Sequence, residues 1–249
     1  MLLQLSTWQE VEHYLQTSKG IIVPIGSTEQ HGPNGFIGTD ALCPEIVARG
    51  VADRIGALIA PTLSIGMAQH HLGFAGSITL RPSTLVSVVR DVVQSLRGHG
   101  FERIYFLNGH GGNIATVTAA FSEVYAESSL GGPGNNHPSV RCKLGNWFSG
   151  AGVRRLSSEL FGASEGSHAT PSEVSLTYYG YPEHVKDVPM SPTVAPRGTF
   201  YDAADYRGRF PDGRIGSNPA LASVEAGEKL FRAAVDDVIG EYQSFLSAA

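Results

Sequence analysis

The first segment whose side chains could do chemistry is VPIGSTEQHGPNGFIGTD, residues 23–40. Glu29 and His31 are two positions apart, so in an extended chain their side chains point to the same side. Asp40 follows after a turn-rich stretch. Two carboxylates and an imidazole suit a divalent metal of the Zn, Mn or Fe type. The same residues could also be two solvated polar groups and a helix-capping aspartate, so this segment alone leaves both interpretations open.

A second segment, NGHGGN, covers residues 108–113 and follows an apolar run typical of a strand. Its glycines allow a sharp turn and a close approach of the backbone to a ligand. Such a turn can cradle a phosphate, but the Walker lysine and the dinucleotide-binding spacing are both absent. His110 at a strand end fits a further metal ligand better, and a histidine that only fills a turn is the alternative.

The third segment is EGSHATPSE, residues 165–173, which contains His168 and Glu173. Thr170 and Glu173 form a capping-box pattern, so Glu173 also has a purely structural explanation. His168 has none, because nothing amphipathic surrounds it. The overlapping GASEG stretch, 162–166, matches the G-x-S-x-G nucleophile motif. The half-polar, helix-like residues before it argue against a serine hydrolase, which needs a buried strand there.

Strand-like apolar runs alternate with helical patterns along the chain. Strands are predicted at 20–25, 57–65, 103–108 and 139–147, and helices at 41–55, 82–98 and 113–127. A capping box at Thr7 and Glu10 predicts a first helix, and Ser83 or Thr84 is expected to cap the helix at 82–98. This alternation predicts an α/β fold with three α/β/α layers and a mostly parallel central sheet, which binds ligands at the carboxyl ends of its strands.

The remaining segments have less regular patterns. Residues 148–171 are rich in Gly and Ser. Residues 189–220 are dense in Pro, Gly, Arg and Asp, and are expected to cover the site or to lie at a subunit interface. Residues 220–246 are predicted to form one long helix or two. No shift in composition marks a boundary, so residues 1–249 are expected to form a single domain.

Composition excludes several classes of function. The 249-residue chain has 42% hydrophobic and 16% charged residues, a net charge of −5 and no long run of Lys or Arg. We therefore expect no nucleic-acid or membrane partner. The N-terminus lacks a basic region followed by an apolar core, so a secretory signal is not expected. The two distant cysteines, Cys43 and Cys142, are expected to be reduced thiols, which predicts a cytoplasmic protein.

Taken together, the three segments resemble the creatininase (creatinine amidohydrolase) family. The matching residues are P-I-G-S-T-E-Q-H-G at 24–32 with Asp40, G-H-G-G-N at 109–113, and His168-Ala169 with Glu173 and Ser175. The resemblance spans about residues 20–180. The G-H-G-G-N form looks like the branch that includes formamidopyrimidine-type deformylases and the peptide-processing member of mycofactocin maturation.

The resemblance implies a site for two divalent metal ions (Zn, Mn or Fe). Glu29 and His110 would hold one ion, His31 the other, and Asp40 would bridge them. Creatininases proper have an aromatic residue and a metal-binding glutamate where this chain has Gly111 and Gly112. Glu173 is the candidate to replace that glutamate, as metal ligand or as general base. His168 is the expected catalytic residue that passes a proton to the leaving nitrogen.

The expected activity is hydrolysis of a non-peptide C–N bond in a small cyclic amide or formamide, by a homo-oligomeric enzyme. The two glycines argue against creatinine itself as the substrate. A peptidase-like member that trims a modified peptide remains an alternative, and would need a wide, open pocket. A non-catalytic metal- or ligand-binding protein is the other, and would keep His168 and Glu173 away from the ions.

Overall fold

A parallel β-sheet forms the centre of the molecule. The computed structural model describes residues 1–131 and 139–248. In these residues the strands are β1 (Gly20–Ile25), β2 (Arg103–Asn108) and β3 (Arg141–Asn146), in the order β1-β2-β3 and all parallel. β1 is buried along its whole length, as expected for a parallel sheet covered on both faces. The register aligns Ile25, Asn108 and Asn146, so the carboxyl ends of the strands share one edge.

The segment 57–65 runs parallel to β1 on its other side, but it is not the continuous strand that the sequence predicts. It makes isolated bridges at Ile59 and Leu63 only. Pro61 lies between these bridges and has no N–H to donate, which interrupts the hydrogen-bond ladder. The segment nevertheless brings residues 64–71 to the edge of the sheet that carries the candidate site.

Helices cover both faces of the sheet and give the predicted three-layer α/β/α fold. One apolar core joins the sheet to α2, α5, α6 and α8, and a second joins its other face to α1, α3 and α4. The helices are α1 (Trp8–Tyr14), α2 (Thr39–Ile55), α3 (Pro82–Gly98), α4 (Asn113–Leu130), α5 (Ala151–Phe161), α6 (Pro171–Gly180), α7 (Ala203–Arg209) and α8 (Val224–Ser247). Among the helices of the described residues, none has both the length and the apolar character of a membrane-spanning segment.

The starts of the helices test the predicted caps. Thr7 and Glu10 form the expected capping box of α1. The expected cap of α3 is wrong: its N-cap is Arg81, without a side-chain bond, and Pro82 occupies the first helical position. Proline fits there because its fixed φ is already helical. The C-terminal residues form one helix, α8, which settles the choice between one helix and two.

The residues around the carboxyl edge pack closely. A Cβ on Gly109 would lie 2.0 Å from the carbonyl oxygen of Asp40, so only glycine lets the first turn of α2 approach the end of β2 this closely. The segment 189–220 lies against the same edge. The backbone N–H of Ser167 donates to the carbonyl of Ile215 (2.9 Å), and the Ser217 hydroxyl donates to the carbonyl of His168 (2.7 Å).

Candidate metal centre

The predicted metal ligands meet at the carboxyl edge of the sheet. Glu29 and His31 follow β1, Asp40 lies in the first turn of α2, and His110 follows β2. All four are buried. Glu173, in the first turn of α6, joins them with its carboxylate 3.9 Å from the His31 ring. Residues that are far apart in the sequence thus form one cluster, as the sequence predicts.

Asp40 lies at the centre of this cluster. Its Oδ1 is 3.0 Å from Nε2 of His31, and its Oδ2 is 2.8 Å from Nδ1 of His110. Two groups of possible ligand atoms share it: Glu29, Asp40 and His110 form one, and His31, Asp40 and Glu173 form the other. Within each group the ligand atoms lie within 4.8 Å of one another. A carboxylate that belongs to both groups is placed to bridge two ions.

Backbone carbonyls fix the orientation of the two histidines. Nδ1 of His31 lies 3.0 Å from the Glu29 carbonyl, and Nε2 of His110 lies 3.0 Å from the Met67 carbonyl. If each ring donates its N–H to that carbonyl, the other ring nitrogen presents a lone pair to Asp40. Metal-binding histidines are typically held in this way. A lone pair facing a carboxylate oxygen at about 3 Å requires a proton or a metal cation between them.

The donor set fits a divalent metal, because its buried carboxylate oxygens face imidazole nitrogens. Glu29 is fully buried; Nε2 of His71 lies 3.0 Å from its Oε1, and Nε2 of His110 lies 3.3 Å from its Oε2. Oδ2 of Asp40 faces Nδ1 of His110 in the same way. A buried carboxylate is costly unless a proton or a cation neutralises its charge. A metal cation bound between these oxygens and the imidazoles removes that cost.

The pKa values show how strongly the cluster attracts positive charge. Burial alone would raise the pKa of Asp40, but the nearby charges of His31 and His110 hold it well below its usual value. Burial alone would lower the pKa of His31 and of His110, but Asp40, together with Glu29 at His110, raises these values to about 10 and about 9. Metal binding therefore has to displace protons from both rings, which makes metal affinity fall with falling pH.

A cavity of about 560 Å³ opens beside the cluster. Asp40, His110, His168 and Glu173 form one side of it. The rest of its lining comes from the turn after β2, the residues after β3, α5 and the segment before α6: Gly109, Gly111, Trp147, Phe148, Arg154, Ser157, Ser158, Gly162, Glu165, Gly166, Ser167, Thr170 and Ser172. The sequence order also predicts that residues 64–71, which follow the segment beside β1, line the substrate pocket. For this cavity that prediction is wrong, because none of them is among its lining residues.

A model of a known protein family matches nearly the whole chain. The family model for creatininase, described as creatinine amidohydrolase, matches residues 4–241. The chain belongs to the creatininase family. The resemblance seen in the three sequence segments is thereby confirmed, and with it the family's general character as hydrolases.

Individual members of the creatininase family match over different lengths. A creatinine amidohydrolase of Pseudomonas putida is 36% identical over 110 residues, which are 42% of this chain and 42% of that protein, so this match spans less than half of the relative. A mycofactocin precursor peptide peptidase of Mycobacterium ulcerans is 28% identical over 235 residues, or 90% of this chain and 84% of that protein. The solved structure "Creatininase Mn" has a TM-score of 0.81 and 26% identity, and the match covers 99% of both chains.

The surroundings of Gly112 explain why this chain has a glycine where creatininases proper have a metal-binding glutamate. A Cβ on this residue would lie 2.4 Å from Nε2 of His110 and 2.7 Å from the Met67 carbonyl oxygen. The His110 ring and its anchor therefore occupy the space that a side chain at 112 would need. Position 111 is open, with no atom within 4 Å of a Cβ.

Glu173 combines a structural contact with a place in the cluster. Its Oε1 accepts a hydrogen bond from the Thr170 N–H (2.6 Å), and its own N–H donates to the Thr170 hydroxyl (3.2 Å). This is the predicted capping box at the start of α6. The box does not compete with a role at the site, because it holds the same carboxylate beside His31. Burial raises the pKa of Glu173, so a nearby cation would be needed to keep it ionised.

His168, in the segment before α6, lies beside Glu29 and His31 of the cluster. Its Nε2 lies 2.8 Å from the Gln30 carbonyl, and its Nδ1 lies 3.8 Å from Oε1 of Glu29. His168 also forms a possible ligand group with Glu29 and His31. Burial holds its pKa well below the usual value. A buried, neutral imidazole of this kind can accept a proton or bind a metal.

The sequence predicts that Gln30 helps to orient the ligands, but it gives His71 a place in the pocket lining rather than beside Glu29. Nε2 of His71 lies 3.0 Å from Oε1 of Glu29, and its Nδ1 lies 2.9 Å from the Gln30 side-chain nitrogen. That nitrogen is also 2.9 Å from Nε2 of His168. These side chains form a second layer behind Glu29. The available signal was positional: His71 follows the segment beside β1, whose end lies at the site.

Proposed function

We propose that this protein is a metal-dependent amidohydrolase that hydrolyses a non-peptide C–N bond in a small cyclic amide or formamide. The observation that supports this most directly is the position of Asp40 between two groups of possible ligands. Glu29 and His110 would hold one divalent ion with Asp40, and His31 and Glu173 the other. Zn, Mn and Fe all accept this mixture of carboxylate and imidazole ligands.

The chemistry follows from the residues around the two positions. Two bound divalent ions would supply Lewis acidity, which lowers the pKa of water and polarises an amide carbonyl. Asp40 and Glu29 balance the positive charge. Glu173 reaches the edge of the cavity, where it can hold a proton if it acts as general base. His168 lines the same cavity, and its Nδ1 faces the cluster. The neutral ring would accept a proton that the attacking water releases and pass it to the leaving nitrogen as the C–N bond breaks.

Two features argue against the alternative activities. The non-catalytic alternative requires His168 and Glu173 to lie away from the cluster, but both are within 4 Å of its side chains. The peptidase alternative requires residues 148–171 and 189–218 to fold away from the site. Instead, residues 148–171 line the cavity, and Gly213 and Ile215 contact Gln30 and His168. The long match to a mycofactocin precursor peptide peptidase keeps peptide trimming as the second candidate.

A substrate screen tests the proposal. Protein loaded separately with Zn, Mn or Fe(II) would be assayed against panels of cyclic amides, formamides and short peptides. We expect at least one form to hydrolyse a cyclic amide or formamide. If peptides alone are cleaved, the peptidase function replaces the proposal, and if none of the three panels is cleaved, the hydrolase function is wrong.

The His168→Ala variant separates the two possible roles of this residue. We expect the variant to keep the metal content of the parent protein, measured by elemental analysis, and to lose turnover, because the proton donor is gone. Loss of metal would make His168 a ligand. Retained turnover would place the proton donor elsewhere.

We further propose that the enzyme is a cytoplasmic homo-oligomer that acts on a small molecule. The family relationship supports the oligomer, and the two cysteines, which are free in the structure, are compatible with a reducing compartment. Light scattering coupled to gel filtration would show the mass of a multimer, and a monomeric mass at working concentration would contradict this part.

A further inference from the structure

One face of α5 presents polar groups to the cavity. Arg154, Ser157 and Ser158 all line the cavity, and they are spaced at i, i+3 and i+4 on the helix. This spacing places the three side chains on one face of a helix. The face lies in the same cavity as Asp40, His110 and Glu173, so a molecule held at the cluster can reach it.

These polar groups have no side-chain partners in the part of the chain that the structure describes. The side chain of Arg154 is exposed and makes no hydrogen bond or ion pair with any of the residues 1–131 and 139–248. The hydroxyls of Ser157 and Ser158 likewise have no hydrogen-bond partner there. The next residue, Arg155, is different, because it pairs with Glu159 at 2.9 Å. The guanidinium of Arg154 is therefore free to bind a ligand in the cavity, whereas that of Arg155 is already paired with Glu159.

The helix that carries this face is fixed firmly in place. The first turn of α5 has no capping side chain of its own. Asp237 of α8 caps the N-terminus of α5 instead, because its carboxylate accepts hydrogen bonds from the N–H groups of Gly152 (3.2 Å) and Val153 (3.0 Å). Val153 and Phe161, near the two ends of the helix, are buried in the core. A preorganised donor face of this kind binds a ligand at a lower entropic cost.

The charge of the site favours an anion. Glu29, Asp40 and Glu173 bring three negative charges to the cluster, and two divalent ions would bring four positive ones. Arg154 adds another positive charge. Glu165 also lines the cavity, but its Oε1 accepts a hydrogen bond from Ser172, and burial raises its pKa to about 7. A cavity with a net positive potential attracts anionic substrates.

We propose that Arg154 binds a carboxylate of the substrate, and that the enzyme therefore acts on amides that carry a carboxylate group. This rests on the proposed function and names the class of substrate for the same site. The planar guanidinium pairs with both oxygens of a carboxylate, and the hydroxyls of Ser157 and Ser158 can donate to it from the same face. The amide to be hydrolysed lies between this anchor and the metal cluster.

Binding measurements test the proposal without requiring turnover. N-acetylglycine and its neutral analogue N-acetylglycinamide would be titrated into zinc-loaded protein by calorimetry. We expect the wild type to bind the carboxylate about tenfold more tightly than the amide, a typical gain for a charge-assisted pair. Arg154→Gln should abolish this difference, whereas the matched control Arg155→Gln should keep it.

The outcomes separate this proposal from the proposed function. A wild type that does not distinguish the two probes, or an Arg154→Gln variant that still does, overturns the role of Arg154. A preference that depends on Arg154 supports the role, even if no amide in the substrate screen is hydrolysed. In that case the proposed hydrolase function is wrong, but carboxylate binding by Arg154 is confirmed.

Discussion

For single residues, the proposed metal site depends above all on the surroundings of one carboxylate, that of Asp40. Asp40 is buried, and its two oxygens face two different histidines at 3.0 and 2.8 Å. The sequence predicts the members of this cluster, because each follows a strand or opens a helix at the same edge. It also predicts Gln30 as a partner that orients the ligands, but it does not predict that His71 lies between Gln30 and Glu29. A histidine in a loop has no periodic pattern that would indicate burial.

Glu29→Gln should cost the protein one metal ion. The substitution keeps the shape of the side chain but removes the charge from one ligand group, while His31, Asp40 and Glu173 retain the other. We expect elemental analysis to fall from two ions per chain to one. Glu10→Gln, at the exposed start of α1, is the control and should leave the metal content unchanged. Loss of both ions would show that the two groups are not separate, and loss of neither would show that the charge of Glu29 is not needed to bind an ion.

Glu165 should make stability depend on pH. Burial raises its pKa from 4.5 to about 7, so the folded state holds the proton more tightly than the unfolded state. Its contribution to stability is complete below pH 4.5 and is lost as the pH rises through 7. The free energy of unfolding would be measured by denaturation of metal-free wild type and Glu165→Gln. From pH 5 to pH 8, the stability of the variant relative to wild type should rise by about 1–3 kcal/mol, because only the wild type loses the contribution of Glu165. The same difference between the two proteins at pH 5 and pH 8 would contradict a raised pKa of Glu165.

At the scale of elements, the strands and helices with strong periodic patterns are predicted well and the irregular segments are not. β1, β2 and α3 have the predicted bounds, because continuous or 3.6-residue apolar patterns define them. Pro61 divides the segment 57–65, which an apolar run alone does not reveal. The segment 189–220 has little periodicity because much of it is irregular. The buried Arg214 holds it together by donating to the carbonyls of Pro192, Thr193 and Ser217, and Tyr206, Phe210 and Ile215 form a small apolar cluster of their own.

The start of α5 should be sensitive to Asp237. Removing this carboxylate leaves the N–H groups of Gly152 and Val153 without their acceptor. We expect Asp237→Ala to lower the free energy of unfolding by about 1–2 kcal/mol, as for the loss of an N-cap. Asp236→Ala removes only the exposed pair with Arg54 and should cost less than about 1 kcal/mol. Equal losses in the two variants would show that the carboxylate does not cap the helix.

At the scale of the whole molecule, residues 1–249 are predicted to form a single domain. α8 is the element that supports this, because it packs against α2, α5 and α6 and joins the C-terminal part of the chain to the sheet. Calorimetry of metal-free protein should then show one unfolding transition, with equal calorimetric and van't Hoff enthalpies per cooperative unit. Two separated transitions would contradict the single domain.

We propose that the cluster at the carboxyl edge binds two divalent ions and that Asp40 is a ligand of both. Elemental analysis of zinc-saturated, desalted protein tests it most directly, with wild type and Asp40→Ala measured side by side. We expect two ions per chain in the wild type and none in the variant, because both ions lose a shared ligand. Wild-type protein without metal, or a variant that keeps one ion, would contradict it.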